Sequence, residues 1–90
     1  TEGLRQLRSE VDDIDNQLME LLSKRFRICR EIGTFKKDHN ITVLQSKRYK
    51  EILEKRGKEA ERSHMDSEFV GHIFELIHEE SVRQQLEIVK

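Results

Sequence analysis

Apolar residues recur every three or four positions from Leu4 onward: Leu4, Leu7, Val11, Ile14, Leu18, Leu21, then Ile28, Ile32 and Phe35. That period predicts one helix from about residue 4 to about residue 37, with a single coiled-coil-like seam. At ~1.5 Å per residue the rod is roughly 50 Å long, whereas a compact 90-residue globule has a radius of gyration of only ~12 Å. In a monomer the seam would stand exposed, so the helix is expected to lie along another chain. Lys36 and Lys37 suit a helix C-terminus, and Asn40 can take the left-handed conformation that ends one. Ile41-Thr42-Val43-Leu44 reads as an extended connector, because no second strand exists to pair with it. Ser46 is the expected N-cap of a second helix through about Arg62, with Tyr49, Ile52, Leu53, Arg56 and Ala60 at helical spacing and Gly57 weakening its later part. Ser63-His64-Met65 forms a second break. Asp66 then caps a third helix, with Met65 and Val70 placed as a hydrophobic staple, running to the C-terminus through Val70, Ile73, Phe74, Ile77, Leu86 and Val89. The prediction is an all-α fold of long, short and long helices, one domain over residues 1–90.

Composition agrees with helices that need a partner. Only 34% of residues are apolar, there is no proline, and four glycines and one cysteine exclude collagen-like, low-complexity and disulfide-scaffold classes. Seventeen Lys and Arg oppose eighteen Asp and Glu, a net charge of −1, so no overall field draws nucleic acid to the chain. No apolar run reaches the ~18 to 20 residues of a membrane span, and Thr1-Glu2-Gly3 does not open a signal peptide. The expectation is a soluble, cytoplasmic protein without nucleic-acid or membrane partners.

The seams contain polar residues that change this picture. Spacing four from Leu21 lands on Arg25, and a guanidinium in a dry interior costs several kcal/mol without an anion or a wet cavity. It is either a registry device or ion pair within the bundle, or part of a pocket for an anionic ligand. Lys36 lies eleven residues on, along nearly the same face, although a cation near a helix C-terminus is ordinary when taken alone. On the third helix the seam through Val70, Phe74 and Ile77 continues to Ser81 and then Gln84 or Gln85. Such groups fix register across an interface or serve a ligand; beside two cations they fit an interior site for a small polycarboxylate. Arg8 shares the face of Arg25 but lies about 25 Å away along the axis, so only the Arg8 of a second, antiparallel chain would approach Arg25.

Other constellations carry less. His72, Glu75, His78 and Glu79 contain one Glu-x-x-His, which without inward Glu residues on other helices reads as a solvated face rather than a metal site. Cys29 reads as a small buried apolar residue, and His39 and His64 fall in breaks. No phosphate loop, nucleophile elbow or basic recognition helix is present.

Four stretches, taken in order, resemble the all-helical chorismate mutases over nearly the whole chain: Leu7-Arg8-Ser9-Glu10-Val11-Asp12-Asp13-Ile14-Asp15, Leu21-Leu22-Ser23-Lys24-Arg25, Glu31-Ile32-Gly33-Thr34-Phe35-Lys36, and Phe74 through Gln85. The resemblance implies an intertwined homodimer of three-helix chains and the Claisen rearrangement of chorismate to prephenate, with no cofactor and no metal. By position it assigns Arg25, Arg48 and the partner chain's Arg8 to the two carboxylates. Lys36 and Gln85 fall to the ether oxygen, and Ser81 to the ring carboxylate. Family members commonly carry acidic residues where this chain has Gln45 and Tyr49, the positions that hold the ring hydroxyl. That departure leaves two alternatives: an isochorismate pyruvate lyase, or a weakly catalytic dimerisation or allosteric module. A helical dimer with no ligand is a third. The abrupt start at Thr1-Glu2-Gly3 fits a domain cut from a longer enzyme, and domains of this kind are often fused to an aromatic-pathway synthase or dehydratase.

Overall fold

With no proline to interrupt it and the Thr1 hydroxyl accepting from the Leu4 amide at 3.2 Å, the first helix begins at Glu2 and runs unbroken to Asp38. The computed structural model describes all 90 residues: α1 (Glu2–Asp38), α2 (Ser46–Arg62) and α3 (Ser67–Val89), with no strand. Asn40, at φ 55°, turns the chain out of α1 in the left-handed conformation, and His64, at φ 58°, does so between α2 and α3. Gly57 does not shorten α2. The N-cap of α2 is Gln45 rather than Ser46, and its side chain makes no capping bond; Ser46 is the first helical residue. Asp66 caps α3 as expected, accepting from the Glu68 amide at 3.1 Å.

Helix α3 lies between the other two, which make no contact along their lengths. Tyr49 faces His78 and Arg56 lies 5.3 Å over the Phe74 ring, so α2 and α3 run antiparallel. Arg25 meets Ser81 and Lys36 meets Gln85, so the second half of α1 crosses α3 with the two helices running parallel. The crossing is closest at Gly33: a Cβ there would sit 3.1 Å from the Gln85 Cα. That is tighter than ordinary Cβ contacts, so glycine lets the helices approach this closely without either giving way.

The face of α1 that α3 covers is therefore built on Cys29 and Gly33, both buried, and not on the large apolar residues of the sequence seam. Leu7, Val11, Ile14, Leu18, Leu21 and Phe35 are each more than half exposed, and Ile28 is half exposed. Close helix packing is set by small residues, whereas the periodicity is dominated by bulky ones, so the two stripes differ. The first half of α1 extends beyond the three-helix body. The molecule measures 57 × 24 × 14 Å with a radius of gyration of 16.6 Å, and only seven of its 90 residues are buried. One chain alone has no core of ordinary size.

Candidate active site

Because α1 and α2 flank α3 without touching each other, a cleft remains between them, floored by α3 and closed at one end by the connector. It encloses about 330 Å³. Arg25 and Lys36 enter from α1, Gln45 from the end of the connector, Arg48 from α2, and Ser81 and Gln85 from α3. Helical spacing explains the groupings: Arg25, Cys29, Ile32 and Lys36 follow one stripe of α1, and His78, Ser81, Val82 and Gln85 one stripe of α3. Tyr49 does not line the cleft but stacks on His78, which does, with ring centroids 4.2 Å apart. Arg8 is exposed on the protruding half of α1, roughly 25 Å along the helix from Arg25 of its own chain.

Polar contacts fix most of these groups. Arg25 Nη1 donates to Ser81 Oγ at 2.9 Å and lies 3.7 Å from Cys29 Sγ, so no acidic partner neutralises it within the bundle. Ser81 Oγ in turn donates to the Ile77 carbonyl at 2.8 Å. Lys36 Nζ donates to the Val43 carbonyl at 2.7 Å and to Gln85 Oε1 at 2.9 Å. An ammonium has three protons and an amide a separate NH₂, so one Lys36 proton and the Gln85 Nε2 group stay free side by side. Burial lowers the Lys36 pKa from its ordinary 10.5, with Cys29 opposing the shift.

The lining contains three permanent or near-permanent cations and no Asp or Glu. The acidic residue next to Ser81 is engaged elsewhere: Glu80 holds Arg83 through two 2.7 Å bonds and accepts from Gln84, which bring its pKa down to about 2. The cleft is thus a positive, hydrogen-bond-donating cavity suited to a small molecule with more than one carboxylate.

Two contributors were not visible in the sequence. The Val43 carbonyl holds Lys36 from a connector with no motif of its own, and Val43 is buried. His78, read as part of a solvated face, is half-buried and lines the cleft. Gly33 stood within a matched stretch without a role; its cue was a lone glycine in a helical pattern, which marks close approach.

The profile of the type II chorismate mutases matches residues 7–86. The chain belongs to that family. Among its relatives, the T-protein of Haemophilus influenzae is 29% identical over 80 residues, 89% of this chain and 21% of the relative. The bifunctional chorismate mutase/prephenate dehydratase of Buchnera aphidicola is 30% identical over 86 residues, 96% of this chain and 22% of the relative. The protein of the same name in Aquifex aeolicus is 37% identical over 54 residues, 60% of this chain and 15% of the relative. The chain spans about a fifth of the length of the first two. As a type II chorismate mutase fold it carries no helix long and apolar enough to cross a membrane.

Proposed function

We propose that the cleft binds chorismate and rearranges it to prephenate. The observation that carries this reading is the pairing of a free Lys36 proton with the free Gln85 amide, inside a cavity of three cations without a carboxylate. Chorismate has two carboxylates, one on the ring and one on the enolpyruvyl arm. Arg25 and Arg48 bind them and hold the arm over the ring in a reactive conformer, which removes most of the entropic barrier of a unimolecular reaction. Ser81 assists at the ring carboxylate by holding Arg25. As the ether C–O bond breaks and the new C–C bond forms, negative charge grows on the ether oxygen. Lys36 and Gln85 donate there and stabilise the transition state more than the ground state. The electrons move within the substrate, so no general acid, base or nucleophile takes part.

The exposed stripe Leu7, Val11, Ile14, Leu18 and Leu21 supports a homodimer in which each α1 lies along its twin, bringing the partner chain's Arg8 toward the cleft. The name of the bifunctional chorismate mutase/prephenate dehydratase, of which this chain matches 22%, supports a mutase domain of a larger enzyme. Loss of the chorismate ultraviolet band on adding the protein tests the reaction, with isochorismate run alongside for the lyase alternative. Lys36→Ala and Gln85→Ala are each expected to lower turnover by ~10² or more with the helical circular dichroism retained. Unchanged rates would remove both residues from the mechanism.

A further inference from the structure

His78 lines the cleft but has no part in the mechanism above. Its ring lies against Tyr49, the planes 25° apart and the centroids 4.2 Å apart, which holds the imidazole between α2 and α3 and leaves the nitrogens at its rim. Burial comes first, then the nearby Arg25, in lowering its pKa below the ordinary 6.5; Lys36 adds to this and Glu79 opposes it. At neutral pH the ring is uncharged, with one N–H donor and one lone-pair acceptor.

Free acceptors are scarce in this cleft. Ser81 Oγ accepts from Arg25 and Cys29, while the Val43 carbonyl and Gln85 Oε1 each already accept from the Lys36 ammonium, which leaves them one lone pair apiece beside a cation. Gln45 is exposed, its amide reaching only the Thr42 carbonyl at 3.5 Å, and nothing fixes its oxygen. A ligand hydroxyl entering among these cations has a proton to place, and the imidazole is the lining group that is held by a stack and has no donor bonded to it.

We propose that His78, held by its stack on Tyr49, is the specificity-determining acceptor for a hydroxyl on the bound dicarboxylate, so that the cleft favours a hydroxylated ligand over its deoxy counterpart. The inference rests on the chorismate reading, since chorismate carries one ring hydroxyl. It assigns to α3 a recognition role that neither Gln45 nor Tyr49 fills with a charge.

The test measures kcat and KM for chorismate and for the analogue whose ring hydroxyl is replaced by hydrogen. The wild-type protein is expected to favour chorismate in kcat/KM by about tenfold, the worth of one well-placed hydrogen bond. His78→Phe keeps a ring against Tyr49 but has no nitrogen. It is expected to lose about tenfold on chorismate, to leave the analogue within a factor of about two, and so to abolish the preference. His78→Gln, which restores an acceptor oxygen, is expected to recover part of it and serves as the readout should the Phe variant not fold. Acidification adds a further measurement. Arg25 and Lys36 from α1, Arg48 and Tyr49 from α2, and Glu79 from α3 surround the imidazole, and its protonation alters the field on both dianions alike. The ratio of the two kcat/KM values therefore isolates the acceptor, and it is expected to fall toward one below pH 6.5 in wild type and to stay flat in His78→Phe. Equal losses on both substrates, or an unchanged preference in both variants, would overturn the role of His78 while leaving the rearrangement intact. A wild-type protein that turns over neither compound would overturn the rearrangement, and the assignment of His78 with it.

Discussion

In the proposed reaction Lys36 is the residue on which the chemistry turns, and its environment makes that role testable by pH. Burial depresses its pKa from 10.5, and in the proposed mechanism the charged form is the one that stabilises the ether oxygen. Activity is therefore present below the depressed pKa and is lost as pH rises through it. The alkaline limb of kcat/KM is expected to lie below 10.5, and to vanish from the measured range in Lys36→Arg, whose guanidinium stays charged. An alkaline limb unchanged in Lys36→Arg would assign it to another group. Lys36 was legible in the sequence as a cation on the face of Arg25. Its bonds to Val43 and Gln85 were not, because they join positions seven and 49 residues apart through a fold that periodicity alone does not specify.

Among the helices, the junction of α1 and α3 at Gly33 connects packing to the site. Alanine there would raise helix propensity by ~1 kcal/mol, but its Cβ would meet the Gln85 Cα at 3.1 Å and cost ~1 to 3 kcal/mol of overpacking. The two effects offset in part, leaving a net cost of ~0 to 2 kcal/mol. They do not offset in geometry, since the helices must separate by a few tenths of an ångström and carry Gln85 away from Lys36. Gly33→Ala is expected to lower kcat by ~10-fold while the melting temperature falls by no more than about 15 °C. Helix identities and most ends were legible because proline is absent, the apolar period is regular, and Asn40, Asp66 and the Ser63–Met65 break supply stop and start signals. The cap of α2 was misassigned by one residue: Ser46 has the right chemistry, yet the chain enters the helix at Gln45, whose backbone is extended at φ −122° and ψ 98°. The connector that leads into it is tied to α1 by the bond from Lys36 to the Val43 carbonyl, two residues before that cap.

A chain with seven buried residues and a 57 Å long axis leaves its largest apolar stripe uncovered. In the proposed dimer each site draws Arg25 from one chain and Arg8 from the other, which gives a test that a monomeric site fails. Arg8→Ala and Arg25→Ala proteins are each expected to be impaired. Unfolded and refolded together in equal amounts, they are expected to recover about a quarter of wild-type activity, because half the dimers are mixed and each mixed dimer has one intact site. No recovery, with mixed dimers demonstrated by mass, would place both arginines in sites built from one chain.

The sequence by itself determined the helices, the need for something to cover α1, and the presence of cations and neutral donors in positions where a core would be apolar. These are local properties, written in a 3.6-residue period and in the cost of burying charge. Tertiary structure decided which stripe of α1 meets α3, because close approach depends on Cys29 and Gly33 rather than on the bulky residues that dominate the pattern. It also decided that α1 and α2 stand apart over α3, and so that a cleft exists between them. His78 faces that cleft, rather than solvent, for the same reason: burial of a side chain beside a seam depends on where the neighbouring helix lies, and no single helix encodes the position of another.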